Sequence, residues 1–296
     1  TWSAAYTMKD NDTEKSVSLS ISFSDLAGNA AGNDVTSTIG GSAVLFDKTK
    51  PVLLPVDNVT TPTSDNTSLR YIFSSTEAGT INYSESFCSG SLDNATSLPD
   101  NNTTTFDALA DGTYDNCTIS VTDNEENTSD NLSVSSFTID TTAPTLDNVT
   151  IASSNSVSTL AKIDDNITLS ITSVGTIQAP SVSIAGQTAT VTGSGTSWSA
   201  AYTMAEARDE GSVSLNIGFS DLAGNAGSAV TSISNGSAVR FDKTVPTLDN
   251  VTIASNNTLN TTLAKTNDVI TLSITSSEVI QTPTVTISGQ NATVTG

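Results

Sequence analysis

Along this 296-residue chain apolar residues return at every second position, with Ser or Thr filling the positions between them. Ile167, Leu169 and Ile171 alternate with Thr168 and Ser170, and Leu69, Tyr71 and Phe73 occupy the corresponding run of an earlier segment. Val213, Leu215, Ile217 and Phe219 form another such run, echoed by Val17, Leu19, Ile21 and Phe23. Trp198, Ala200, Tyr202 and Met204 are echoed in turn by Trp2, Ala4, Tyr6 and Met8. A period of two places one set of side chains on a core and the other in water, as in antiparallel strands with one wet face. No helical period competes with it. Short runs of this kind, split by Gly, Asn and Asp turns at a density of about seven per 100 residues, predict all-β Greek-key sandwiches of immunoglobulin type.

The pattern repeats at the level of whole domains. "LDNVTIASSNSVSTLAKIDDNITLSIT" from Leu146 matches "LDNVTIASNNTLNTTLAKTNDVITLSIT" from Leu248, and Gly193 and Gly296 close equivalent segments one period of 103 residues apart. Residues 1–53 match the other half of the same unit, from "TWSAAYTM" to "SAVLFDKTKPVL". Four segments follow: 1–53, the C-terminal half of a repeat; 54–145, a divergent module; 146–247, a complete repeat; and 248–296, an N-terminal half. The boundaries carry one phrase, "FDKTKPVL", "IDTTAPTL" and "FDKTVPTL". Its proline removes a ladder donor and ends strand pairing, while the lack of a glycine run keeps the linker short and semi-rigid. A fixed period near 100 residues with strand patterning predicts sandwich domains in tandem, arranged as an elongated rod. Each half-module is expected to leave its inner face bare: Trp2, Tyr6, Val17, Leu19, Ile21 and Phe23 on one side, Ile270, Leu272 and Ile274 on the other.

Composition narrows the partners. Thirty-one acidic residues stand against ten Lys and Arg, a net charge of −21. Nucleic acid and anionic membrane both need a basic footprint, so neither is an expected partner. No apolar stretch reaches the 18 residues of a membrane-spanning helix. The chain has no histidine, no G-x-S-x-G motif and no P-loop, and catalysis is not expected of it.

"FSSTEAGT", "DGTYDNCTISVTD", "FSDLAGNAG" and the D-x-T-x-P-T-L junctions resemble the bacterial immunoglobulin-like repeats of giant surface adhesins. The resemblance extends over essentially the whole chain. It implies a structural stalk or fibre at the cell surface, extracellular, whose partners are neighbouring repeats of the same protein. Two alternatives stay open: a filament subunit whose half-domains are completed by other copies, and a module whose loops bind a glycan or host protein.

Three sets of residues carry candidate chemistry. The first is acidic: Asp25, Asp123 and Asp221 end equivalent strands, Asp47, Asp140 and Asp242 open the junctions, and Asp57, Asp147 and Asp249 follow them. Loop and linker carboxylates are expected to converge between modules. Hard oxygen donors without His or Cys suit a structural Ca²⁺, which the resemblance also implies. The alternative is that these residues only shape turns. The "DNEEN" loop lacks the glycine of "DLAGN", which makes it the weaker of these sites. The second set is the cysteine pair Cys88 and Cys117. For a protein of surface type a disulfide is expected, closing about 30 residues at roughly 3–4 kcal/mol of stabilisation; two separate thiols are the alternative. Tyr114 lies three residues before Cys117, where an immunoglobulin tyrosine corner lies two before, so no such corner is expected. The third set is the Asn-x-Ser/Thr sequons, including Asn58, Asn66, Asn94, Asn116, Asn148, Asn250 and Asn291, which could accept N-glycans given the machinery.

Overall fold

The computed structural model describes residues 1–85, 87, 96–233 and 236–296. Among them there is no α-helix, and every strand pair within the sheets is antiparallel except Leu160–Ala161 with Arg240–Phe241. Two separate hydrophobic cores are present, and they fall in the two uninterrupted segments.

In residues 146–247 the sheet order follows from which runs share an inward phase. Thr145–Ser153 pairs with Asn166–Val174, which pairs with Ser197–Thr203, which pairs with Thr190–Ser194. Ile167, Leu169 and Ile171 all point inward from the central strand and are almost wholly buried, as their alternation requires. A second sheet joins Gln187–Thr188, Ser181–Ile184 and Leu215–Gly218, with a bridge from Ile217 to Val230. Its inward set, Val182, Ile184, Leu215 and Ile217, closes the core together with Phe219 and Phe241. The segment between the first two strands adds Leu160–Ala161, which runs parallel to Arg240–Phe241. Gly227 is required here, because a Cβ on it would lie 2.2 Å from the Phe219 ring.

The divergent module repeats this plan with its own side chains. Leu53–Asp57, Arg70–Ser75 and Asp100–Thr105 form one sheet, and Leu132–Ser133, Thr118–Thr122, Gly79–Tyr83 and Thr96–Ser97 form the other. Tyr71 and Phe73 point inward from the first sheet, Ile81, Cys117, Ile119 and Val121 from the second, and Phe106 and Phe137 pack ring against ring between them. Cys117 is buried, as its phase predicts; Cys88 lies outside the described residues. Gly79 permits the two strands to touch, since a Cβ there would stand 2.3 Å from the Thr122 carbonyl oxygen.

The two ends differ. Among the described residues the two hydrophobic cores run from Val59 to Phe241, and neither half-module contributes a side chain to them except at the boundary, where Leu53 packs against the first. Residues 1–8 form no strand, although the same words at Ser197–Thr203 do. Strand Ile270–Ser276 pairs on one side only, with Leu248–Ser255. The chain exposes 19157 Å², against about 12,000 Å² for a compact monomer of this mass. These two segments carry exposed apolar side chains: Trp2 is fully exposed and Ile253 is 64% exposed, whereas the repeat counterpart of the latter, Ile151, is 6% exposed.

Candidate functional site

The acidic residues divide into three structural roles. At each loop the aspartate is the organiser of a tight turn. Asp123 Oδ1 accepts the backbone N–H groups of Glu125 and Asn127 at 2.9 and 2.8 Å, and its Oδ2 accepts the Asn127 side-chain amide at 2.9 Å. Asp25 does the same with Ala27 and Asn29, which hold its carboxyl below the usual carboxylate range, the Asn29 amide foremost. Asp221 does so with Asn225. Asp123 and Asp221 are themselves buried, while Asp25 is exposed.

At each junction a D-x-T step forms a second turn. Asp47, Asp140 and Asp242 accept the N–H of Thr49, Thr142 and Thr244 respectively. The same threonines are clasped by an acid from the body of their module. Glu14 accepts the Lys48 N–H and the Thr49 hydroxyl, and Glu210 accepts the Lys243 N–H and the Thr244 hydroxyl. Asp111 accepts the hydroxyls of Thr141 and Thr142. These hydrogen bonds, the threonine hydroxyls first, pull all three carboxyls below their ordinary pKa. Lys243 adds a hydrogen bond to the Glu206 carbonyl and lies 4.0 Å from the Glu206 carboxylate.

Loop and junction meet across the module boundary. The Asn225 side-chain amide donates to the Asp140 carbonyl oxygen at 2.7 Å, and Ser64 N–H donates to the Ala223 carbonyl at 3.2 Å. Asn127 makes a longer equivalent contact, 3.4 Å, to the Asp47 carbonyl oxygen. The loop aspartate therefore holds an asparagine that in turn holds the preceding module. Asn127 and Asn225 were not singled out from the sequence, although D-x-x-x-N recurs in all three loops.

The convergence of carboxylates is narrower than expected. Among the described residues one group of three acids gathers, Asp47, Glu77 and Asp123, with ligand oxygens all within 4.8 Å of one another. It lies at the first junction, next to a cleft of 260 Å³ bordered by Glu14 and Lys15. Burial pushes the Glu77 carboxyl up, and Asp47, Asp123, Glu14 and Glu125 push it further by repulsion. The "DNEEN" loop, expected to be the weaker site, is the one that contributes to this group. It makes the same turn without glycine because Glu126 takes the left-handed conformation, φ 69°, that Gly224 takes at φ 95° in the sister loop.

Glu77 itself was missed. Ser75 Oγ donates to the Glu77 carbonyl, Ser173 Oγ to Gly175 and Ser276 Oγ to Glu278, so these three positions are equivalent. Glycine at the middle one leaves Asp140 and Asp221 without a third carboxylate. The recurrence of Ser-x-Glu in two of the three copies was the available signal.

Asp57, Asp147 and Asp249 do not join any such group among the described residues. They are exposed on the first strand of each module, where the ladder register shifts; Asp57 ends its strand, and Asp147 and Asp249, near the start of theirs, are the residues left unpaired by the bulge. The sequons Asn58, Asn116, Asn148, Asn250 and Asn291 are exposed, Asn66 is half-buried, and Asn94 lies outside the described residues. Tyr114, for which no corner was expected, donates its hydroxyl to the Ala110 carbonyl at 2.8 Å, the hydrogen bond by which a tyrosine corner works.

No protein family's sequence profile matches the chain, and no curated protein matches it. Among solved structures it is similar to the Bacteroides ovatus mixed-linkage glucan utilization locus SGBP-B in complex with a mixed-linkage heptasaccharide. That similarity covers 84% of this chain and 71% of the other at 10% identity and a TM-score of 0.19, too low to carry an argument. No helix among the described residues is long and apolar enough to cross a membrane.

Proposed function

We propose that this chain is a stalk region of a large extracellular surface protein of bacterial adhesin type, built from tandem immunoglobulin-like modules. The observation that carries the reading is the junction, which repeats one device at successive boundaries: a D-x-T turn, an acid clasping it, and a loop asparagine reaching back to its carbonyl. Such a device sets the spacing of successive modules and serves a protein whose work is to hold distance. Two further features support the immunoglobulin-like part of the proposal. If the strands of 146–247 are lettered in chain order from A, leaving out the short Leu160–Ala161, Gln187–Thr188 and Gly211–Ser212 pieces, the first sheet has the order A-B-E-D and the second pairs C with F. That is the constant-type arrangement. The Tyr114 hydrogen bond is the second feature.

The first junction would in addition take a structural Ca²⁺. Its three ligand oxygens stand within 4.8 Å of one another, a spread that one ion with oxygens at about 2.3–2.6 Å can span. All three donors are carboxylates, the hard class this ion selects, and no Lys or Arg lies within ion-pair distance of them among the described residues. Asp47, Glu77 and Asp123 would hold the ion, with water and carbonyl oxygens completing its shell, and it would screen a repulsion that otherwise loosens the boundary.

Small-angle scattering tests the stalk. Three aligned modules of roughly 35–40 Å each give a maximum dimension above about 100 Å. A radius of gyration near about 19 Å, that of a compact 296-residue globule, would overturn the proposal. Labelling of intact cells with an antibody against residues 146–247 tests the location, and signal only after lysis would place the chain elsewhere.

A further inference from the structure

In both uninterrupted modules the exiting strand is gripped on two edges, and the grip continues past the strand into the junction. In 146–247 the strand Arg240–Phe241 lies between Leu160–Ala161, to which it runs parallel, and Gly211–Ser212, to which it runs antiparallel. On the first edge the Arg240 and Asp242 N–H groups donate to the Thr159 and Ala161 carbonyls, both at 2.9 Å. On the second edge the Val213 N–H donates to the Val239 carbonyl. Glu210, the residue before Gly211, then takes the Lys243 N–H at 2.9 Å and the Thr244 hydroxyl at 2.7 Å.

The divergent module builds the same grip from different residues. Ile139 bridges Thr63 in parallel, and Phe137–Ile139 pairs antiparallel with Gly112–Tyr114. The Thr138 and Asp140 N–H groups donate to Thr61 Oγ1 and to the Thr63 carbonyl, at 2.9 and 3.0 Å. Asp111, the residue before Gly112, takes the Thr141 N–H at 3.0 Å. A threonine hydroxyl stands in for a backbone carbonyl and Asp for Glu, yet each bond keeps its place.

The direction of the parallel pair matters. Entering segment and exit strand run the same way, so their outer ends lie at opposite ends of the pair. Pulling a module by its two termini slides one past the other and strains all the bonds together. An antiparallel pairing of the same two segments would peel one bond at a time. In 146–247 the entrance is held by eight register pairs, Thr145–Ser153 on Asn166–Val174. The two-residue exit strand is therefore the weaker anchor, secured by its edge bonds and by the buried side chains of Val239 and Phe241. Beyond the exit of the divergent module, Asp140 joins grip to boundary: its N–H holds Thr63 of its own module, and its carbonyl oxygen accepts the Asn225 amide of the next.

We propose that this chain transmits tension along its length, and that each module takes the pull on its exit strand, gripped on one edge by the entering segment and on the other by the acid clasp. This rests on the stalk reading and adds the work the stalk does. Glu14 repeats the clasp at Lys48 and Thr49, from the residue before Lys15–Ser16, which pairs with Leu45–Phe46.

Force spectroscopy on the 296-residue chain, held by peptide tags at its two ends, tests this. At a fixed force 146–247 should open in a single step of roughly 300 Å, the length of its extended chain less the folded module. Glu210→Ala should speed that step at least about fivefold, the factor one hydrogen bond carries, and leave 54–145 unchanged. Thr61→Val should do the reverse. Both side chains are exposed, so neither substitution disturbs a core. Ile184→Val, a buried substitution outside the grip, should lower the melting temperature at least as much as Glu210→Ala and speed forced opening less. Opening rates indifferent to either grip variant would overturn the proposal, as would Ile184→Val matching Glu210→Ala under force. Scattering reads the stalk separately: a compact globule would remove that reading, whereas indifferent rupture in a rod of the expected length would remove only this one.

Discussion

Asn225 spans two modules: its side-chain amide donates to the Asp140 carbonyl oxygen at 2.7 Å, and the same nitrogen donates to the Asp221 carboxylate at 2.8 Å. One amide thus ties the shape of a loop to the end of the neighbouring domain. Replacing it by alanine leaves Asp221, a buried carboxylate, short of a donor. Asn225→Ala should cost about 1–3 kcal/mol, the range for a buried polar group deprived of its partner. Residues 242–247 and 140–145 give an internal comparison. Limited proteolysis should accelerate at the 140–145 junction of this variant and not at 242–247. Asn127→Ala should have a smaller effect, because its contact to Asp47 is longer, 3.4 Å.

Glu77 sets the behaviour of the first junction toward calcium and pH. Its folded pKa lies above its ordinary value, because burial and four neighbouring carboxylates disfavour the charge. A raised acid binds more protons folded than unfolded, so stability falls as pH rises through that folded value and stays reduced above it. Without calcium, Glu77→Gln should therefore melt higher than the wild type at pH 7 and no higher at pH 4. Calcium should raise the melting temperature of the wild type and leave Glu77→Gln unmoved. Differential scanning calorimetry with Ca²⁺ and with chelator reads all four values.

The acid clasps work in the opposite sense. Glu14, Asp111 and Glu210 have depressed folded pKa values, held down first by threonine hydroxyls and then by backbone N–H groups. Their contribution is fully present above the ordinary values, 4.5 for Glu and 3.8 for Asp, and is lost as pH falls through the lower folded values. Below about pH 4 the junctions should loosen before the cores melt, seen as growing backbone disorder of Thr49, Thr142 and Thr244 by NMR. Glu210→Gln should flatten that acid response at Thr244 alone.

Cysteine placement predicts an asymmetry between the modules. A disulfide between Cys88 and Cys117 would stabilise 54–145 by roughly 3 kcal/mol, while 146–247 has no cysteine. Reductant should lower one calorimetric transition and not the other. Free thiols at both positions in natively exported protein, found by mass spectrometry, would remove the disulfide.

The all-β character, the strand phases, the repeat and the places where modules meet were all legible in the sequence by itself. They rest on local rules: a period of two for one-sided strands, proline to end pairing, Asp and Asn to turn the chain. The loop aspartates were legible as candidates too, but their role was not. Whether a carboxylate ends up beside others depends on residues far apart in the chain, here Asp47, Glu77 and Asp123. A single exchange of Glu for Gly at position 175 withdraws the third member from the next junction. Only the tertiary structure could decide that, as it decided that Asn127 and Asn225 bind across the boundary while Asp147 and Asp249 sit unpaired in bulges. The same division is plainest in "WSAAYTM". Both copies spell the same strand, yet residues 198–203 form one and residues 2–8 do not. The alternation determines which side chains a strand would bury; forming it requires a neighbouring strand to take the backbone hydrogen bonds, and residues 198–203 have one on each side while residues 2–8 have none.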